Sequence, residues 1–155
     1  MSQRASFQRE AVLEWIGDVV KGSGRVVAGS GAFALPATFP RLAGEPAGTT
    51  TPEELLAASH ATCFGIALRS VLAQRGASAE RIRATATLTA DKGGGSIRIM
   101  RADLEAQVEG LAGLDAEGLA AAAKAAEEAC TISVLLRASV PVAVRIISVD
   151  TGRGA

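Results

Sequence analysis

Aromatic side chains are scarce in this chain of 155 residues, which has four Phe, one Trp and no Tyr. Because proteins that bind single-stranded nucleic acids stack the bases on aromatic side chains, this scarcity argues against such a function. Charge points the same way, since 16 basic residues balance 16 acidic ones and leave no net positive charge to attract a polyanion. We therefore expect no nucleic-acid partner.

Metal-ligating side chains are also few, with two Cys and one His in the whole sequence. This set is too small for a zinc site made of four cysteines, and we expect no metal. No stretch reaches the ~18 charge-free apolar residues of a membrane span, and no apolar segment follows the first basic residues as in a secretory signal. We therefore expect a cytoplasmic protein without a membrane partner, whose cysteines are reduced at rest.

Apolar residues are abundant, at 48% of the chain, which is enough to form a buried core. The length is typical of one domain, and no repeat or low-complexity linker divides the sequence. We predict a single domain over residues 1–155, with an ordered core over about residues 10–149.

The most regular segment is a predicted helix from Pro52 to about Arg75. Thr51 is suited to cap its N-terminus, and Glu54 lies three residues on as the reciprocal capping partner. Apolar residues surround much of its circumference, so we expect a central helix that is largely buried.

Strands and shorter helices are predicted on either side of this helix. Alternating polarity predicts strands, and alanine-rich composition predicts helices. Met100 falls on the apolar face of one predicted strand, and Gly22–Gly24 is interpreted as a turn. The order predicts an α+β fold, antiparallel where connections are short. The predicted strands cover residues 11–16, 25–28, 83–91, 97–109 and 138–149, with a short extension at 31–35. The predicted shorter helices cover about residues 115–130 and 132–137, and an irregular loop is expected at 35–48.

Cys63 and Cys130 are the side chains best suited to redox chemistry. From composition alone, each is more often a small buried apolar group, because free cysteine is among the most buried residue types. Two thiols in a reducing compartment also suggest a redox pair. Their separation in the sequence leaves open whether they meet, since a disulfide needs Cβ atoms about 3.5–4.5 Å apart.

A reactive cysteine needs a stabilised thiolate, and Cys63 lies too far along its helix to use the N-terminal dipole. Arg25 and Arg41 are the candidate cations in the segment before the helix. Glu53 in the first helical turn can orient such an arginine, although helix-start electrostatics alone explain a carboxylate there. His60, three residues before Cys63, allows a Cys–His nucleophile pair, but a histidine that only packs against the helix is the more common arrangement.

Two segments resemble the OsmC/Ohr family, the osmotically inducible protein C and organic hydroperoxide resistance proteins. Residues 51–64 read TPEELLAASHATCF and resemble the signature of the family's central helix. Residues 130–136 read CTISVLL and resemble its second cysteine motif, with Thr131 where the family commonly has proline. Residues 15–18, WIGD, are similar to the OsmC branch, so that the resemblance covers about residues 10–149.

The resemblance implies a thiol-dependent peroxidase that reduces organic hydroperoxides to alcohols in oxidative stress defence. Cys63 matches the peroxidatic cysteine and Cys130 the resolving cysteine, which implies a Cys63 sulfenic acid followed by a Cys63–Cys130 disulfide. Glu53 matches the catalytic glutamate. Arg41 resembles the OsmC-type arginine, and Arg25 is the alternative.

The resemblance also implies an intertwined homodimer, in which antiparallel sheets wrap around long central helices. It implies an external dithiol or lipoylated protein as the reductant and no bound cofactor, whether metal, haem or flavin. Two other functions are compatible with the residues. One is a non-catalytic dimeric binding or scaffold protein of the same fold, and the other is a hydrolase that uses Cys63 and His60.

Overall fold

The computed structural model describes residues 4–39 and 48–152 of the chain. Clustering of the backbone divides the chain into two compact units, Met1–Pro52 and Glu53–Ala155. The elements in chain order are β1 (Ala11–Ile16), β2 (Ser23–Ala28), β3 (Ala34–Ala37), α1 (Pro52–Gln74), β4 (Arg81–Gly93), β5 (Ser96–Glu109), α2 (Ala116–Ala129), α3 (Thr131–Arg137) and β6 (Val142–Val149).

The first unit contains an antiparallel sheet in the order β1-β2-β3. The interpretation of Gly22–Gly24 as a turn is wrong in part, because β2 already begins at Ser23. A Cβ atom on Gly24 would lie 2.5 Å from Trp15 Cε3, so the glycine is required by the indole ring that covers it. The short extension predicted at 31–35 is correct only in part, because β3 begins at Ala34 and continues to Ala37 in the segment expected to be an irregular loop.

The second unit contains a sheet in the order β4-β5-β6. Its strands β4 and β5 form an antiparallel hairpin, whereas β5 and β6 are parallel. The long connection through α2 and α3 makes the parallel pairing possible, because parallel neighbours require a crossover of a dozen or more residues. This arrangement confirms the predicted α+β class and the antiparallel pairing across the short connection.

Met100 departs from the predicted alternation in β5. The register of β4 and β5 shifts at this point, since Thr89 pairs with Arg101 and the next residue of β4, Ala90, pairs with Ile99. The bulge leaves Met100 without a partner, and its side chain is 40% exposed. The expectation that Met100 faces the core is therefore wrong, while Ala102 and Leu104 beyond the bulge are buried as predicted.

The core of the second unit forms between one face of the sheet, one stripe of α1 and the apolar side of α2. In α1 the buried residues recur every four positions, which places them on one face of the helix. The cluster includes Phe64, Leu68, Leu72, Leu104, Ala106, Val108, Leu119, Ala122, Ala126 and Cys130.

Helix α1 begins at Pro52 as predicted, but within one chain it is not largely buried. In its most apolar window of 18 residues, 22% are buried, and Ile66 is 67% exposed. By length and composition α1 could cross a membrane. One such helix is weak evidence for a membrane protein, because the core helix of a soluble protein passes the same test.

Leu104→Ala tests the importance of this core. Leu104 is fully buried, so its truncation should lower the free energy of unfolding by about 2–5 kcal/mol in a urea titration. Thr87→Ala, an exposed position on β4, is the matched control and should change it by less than about 0.5 kcal/mol. Equal losses in the two variants would contradict the assignment of the core face.

Candidate active site

Cys63 lies on α1 beside the buried stripe of the helix. Its neighbour Phe64 is fully buried, and Cys63 itself is half-buried and packs against the core cluster. The helix periodicity explains this intermediate position, since a residue next to the centre of the buried stripe is covered on one side only.

Cys130 lies at the junction of two helices and belongs to both. Its backbone N–H donates to Ala126 O at 2.9 Å and closes α2, while its own extended backbone starts α3. Its sulfur accepts a hydrogen bond from the backbone N–H of Ser133 at 3.5 Å, as the side chain of an N-cap residue does. Cys130 is 1% exposed. The first residue of α3 is Thr131, a position that proline also favours in helices.

The two thiols are neighbours in the fold although they are far apart in the sequence. Both cysteines are free, and Cys63 packs against the core cluster that contains Cys130. Burial raises the pKa of the Cys130 thiol, and Cys63 raises it further, against an opposing effect of hydrogen bonds from Ser133. Cys130 is therefore held as a neutral thiol beside the more accessible Cys63.

His60 is fully buried one turn before Cys63. Its Nε2 atom lies 2.7 Å from the hydroxyl oxygen of Ser133, which is also fully buried. Its Nδ1 atom is buried and has no hydrogen-bond partner among residues 4–39 and 48–152. Burial lowers the pKa of His60, so the ring is neutral at neutral pH.

Glu53 lies in the first turn of α1, ten residues before Cys63. Its carboxylate oxygen Oε2 is buried and has no hydrogen-bond partner in the part of the chain that the structure describes. A buried carboxylate oxygen of this kind requires a donor or a cation. Of the two candidate arginines, Arg25 lies on β2 in the first unit with an exposed side chain, and Arg41 lies outside the described residues.

Two polar residues near Cys130 were not identified from the sequence. Ser133 contacts both His60 and Cys130, and its position three residues after a potential N-cap was the available signal. Glu127 is buried at the end of α2, and its Oε1 atom lies 3.3 Å from Arg137 Nε in α3. This ion pair joins the two helices on either side of Cys130 and so supports their junction.

Comparison with known proteins agrees with this architecture. The family model described as OsmC-like protein matches residues 44–145, about two thirds of the chain. The chain belongs to the OsmC-like family. Peroxiredoxin OsmC of Escherichia coli K12 is 31% identical over 137 residues, which are 87% of this chain and 94% of the relative.

Solved structures of the family have the same fold. An organic hydroperoxide resistance protein OsmC from Legionella pneumophila has a TM-score of 0.71 and 26% identity, with 95% of this chain and 99% of the other covered. The organic hydroperoxide resistance protein OhrB of Bacillus subtilis has a TM-score of 0.64 and 26% identity, with coverages of 88% and 97%. These relatives confirm the OsmC/Ohr resemblance and support a peroxidase-type role at the level of the family.

The buried neutral His60 predicts an acid-sensitive contribution to stability. The pKa of His60 in the folded state is lowered from the ordinary 6.5. Above pH 6.5 neither the folded nor the unfolded state binds the proton, so the free energy of unfolding does not change through this group. Below it the unfolded chain binds the proton first, and the free energy of unfolding falls until the folded-state pKa is reached, by at most about 1.4 kcal/mol per pH unit.

His60→Gln, which cannot titrate, is the matched comparison in urea titrations at about pH 7.5 and about pH 5. The wild type should lose more stability between the two pH values than the variant. Equal losses in the two proteins would contradict the burial of a neutral ring.

Proposed function

We propose that this protein is a thiol-dependent peroxidase that reduces organic hydroperoxides to alcohols, with Cys63 as the peroxidatic and Cys130 as the resolving cysteine. The observation that carries the proposal is the proximity of the two thiols on separate elements of the fold, since Cys63 packs against the cluster that contains Cys130 and raises the pKa of its thiol. The names of the relatives support the same reaction class, because they include a peroxiredoxin and organic hydroperoxide resistance proteins.

The difference in burial between the thiols supports the order of their reactions. Cys63 is half-buried and can meet a substrate, whereas Cys130 is 1% exposed and its pKa is raised by that burial. Since the thiolate is the nucleophile, a neutral and enclosed Cys130 does not compete for the hydroperoxide. The apolar cluster that Cys63 packs against favours an alkyl or lipid hydroperoxide over hydrogen peroxide.

The chemistry proceeds in three steps. The Cys63 thiolate attacks the distal oxygen of the hydroperoxide, which breaks the O–O bond and leaves a sulfenic acid. The departing alkoxide takes up the proton that the Cys63 thiol had released and leaves as the alcohol. Cys130 then attacks the sulfur of that sulfenic acid, so that a disulfide forms and water leaves. An external dithiol, such as a small dithiol or a lipoylated protein, restores both thiols by exchange. The balance requires no metal, haem or flavin.

An arginine is proposed to stabilise the Cys63 thiolate and to orient the hydroperoxide, with Arg41 as the first candidate and Arg25 as the alternative. The support for such a cation is Glu53, whose buried Oε2 atom has no partner among the described residues. A guanidinium can donate hydrogen bonds to this carboxylate from one edge and face the reacting atoms with the other.

A homodimer is proposed because one chain leaves large apolar side chains uncovered. Ile66 on α1 is 67% exposed, and Val134 and Leu135 on α3 are 55% and 65% exposed. A second copy of the chain, as the OsmC/Ohr resemblance implies, would remove these surfaces from water. The dimer would explain why α1 is apolar without a membrane partner. The free thiols suit a reducing compartment such as the cytoplasm.

The dimer is tested by sedimentation equilibrium. The expected mass is twice the 15.7 kDa of one chain. Ile66→Asp should shift the mass toward the monomer because it places a charge on the proposed interface, whereas Thr87→Asp on the exposed face of β4 should leave it unchanged. A wild type that sediments as a monomer would exclude the homodimer.

The peroxidase reaction is tested by stopped-flow consumption of an alkyl hydroperoxide with a dithiol reductant. Cys63→Ser should abolish activity, because no other residue forms the sulfenic acid. Cys130→Ser should retain the first oxidation and accumulate a sulfenic acid that dimedone traps. Because the chain has two cysteines, each variant is the control for the other. Full activity of Cys63→Ser, or no trapped sulfenic acid in Cys130→Ser, would disprove the corresponding role.

The two alternative functions give different results in simple assays. A non-catalytic scaffold would form no disulfide after addition of a hydroperoxide. A hydrolase that uses Cys63 and His60 would form an acyl-enzyme with activated esters and would not need Cys130. The second alternative is the less favoured, since the Nε2 atom of His60 is engaged by the hydroxyl of Ser133.

A further inference from the structure

A chain of polar atoms leads from the buried sulfur of Cys130 into the core. The backbone N–H of Ser133 donates to the Cys130 sulfur at 3.5 Å, and the Ser133 side chain lies close enough to the same thiol to lower its pKa. The Ser133 oxygen is in turn 2.7 Å from His60 Nε2. His60, Cys130 and Ser133 are all enclosed, with 0%, 1% and 0% exposure.

This arrangement concerns a difficulty in the resolving step. The inference rests on the proposed function, because that function includes this step. Cys130 must lose its proton to become a nucleophile, yet it lies away from water that could take the proton. A thiol in such surroundings requires a base supplied by the protein.

We propose that Ser133 and His60 form a proton relay that activates Cys130 for attack on the oxidised Cys63. Ser133 contacts the reacting sulfur directly. His60 acts through Ser133 and is a positioning residue that orients the hydroxyl and takes up its proton.

The proposed transfer uses the observed hydrogen bond between Ser133 and His60 Nε2, and it requires the Ser133 hydroxyl to turn one lone pair to the neighbouring Cys130 thiol. When neutral His60 carries its hydrogen on Nδ1, Nε2 accepts from Ser133, and the Ser133 oxygen accepts from the Cys130 thiol. The thiol proton moves to Ser133 Oγ while the hydroxyl proton moves to Nε2. The products are a Cys130 thiolate, which now accepts from Ser133, and a His60 imidazolium.

The remaining step balances the charges. The Cys130 thiolate forms the S–S bond with Cys63 and breaks the S–O bond of the sulfenic acid, which releases hydroxide. The proton held on His60 neutralises this hydroxide, so that the net products are one disulfide and one water. The buried site favours this return, because burial lowers the pKa of His60 and makes the imidazolium short-lived.

The experiment separates the two half-reactions in the intact protein. One equivalent of an alkyl hydroperoxide is mixed with reduced enzyme, and dimedone-trapped sulfenic acid and disulfide are counted over time by mass spectrometry. Ser133→Ala removes the relay hydroxyl at little cost in volume. It should leave sulfenic acid formation unchanged and slow disulfide formation roughly 100-fold, the scale of general base catalysis.

His60→Gln provides the contrast to a purely structural role. Its amide oxygen can still accept a hydrogen bond from Ser133 but cannot take up a proton, so it should slow disulfide formation as Ser133→Ala does. Rescue of the rate by His60→Gln would overturn the relay and leave only an orienting hydrogen bond. A similar loss in both half-reactions would also overturn it, because it would indicate a general disturbance of the fold.

A measurement on the wild type keeps the inference testable if a variant fails to fold. In heavy water, disulfide formation should slow roughly two-fold or more while sulfenic acid formation changes less, because only the former moves two protons in flight. Equal effects on both steps would overturn the relay. If the wild type forms neither sulfenic acid nor disulfide, the proposed function fails, whereas a wild-type disulfide with a normal rate in Ser133→Ala refutes the relay alone.

Discussion

The proximity of the thiols of Cys63 and Cys130 is the constraint around which the rest of the site is arranged. The two sulfurs are free and are carried by different elements, one by the middle of α1 and the other by the junction of α2 and α3. Their proximity depends on the packing of α1 and α2 against the same face of the β4-β5-β6 sheet. A loss of that packing would separate the sulfurs without altering either cysteine.

Polar groups in the core hold the helix junction in place at some cost. His60, Ser133 and Glu127 are all buried, and each has at least one partner that joins α1 or α2 to α3. Burial of such groups is unfavourable unless they are paired, so their geometry is restricted to arrangements in which the pairs form. The same pairing orients Cys130 and gives its thiol a route to a base.

Much of the fold could be predicted from local patterns, whereas the long-range contacts of the site could not. The structure confirms that exposed and buried side chains alternate along most of β4 and β5, and that α1 begins at Pro52. The bulge at Met100 was missed because alternation carries no information on register between strands. The proximity of Cys63 to Cys130 was expected only from the family resemblance, and the bond from His60 to Ser133 leaves no pattern in a single sequence.

A peptide map after one equivalent of an alkyl hydroperoxide tests the central claim most directly. The oxidised protein is alkylated, digested without reduction and analysed by mass spectrometry. The account predicts one linked pair of peptides, in which the sulfur of Cys63 is joined to that of Cys130. Recovery of both peptides as alkylated thiols after the hydroperoxide has been added would contradict it.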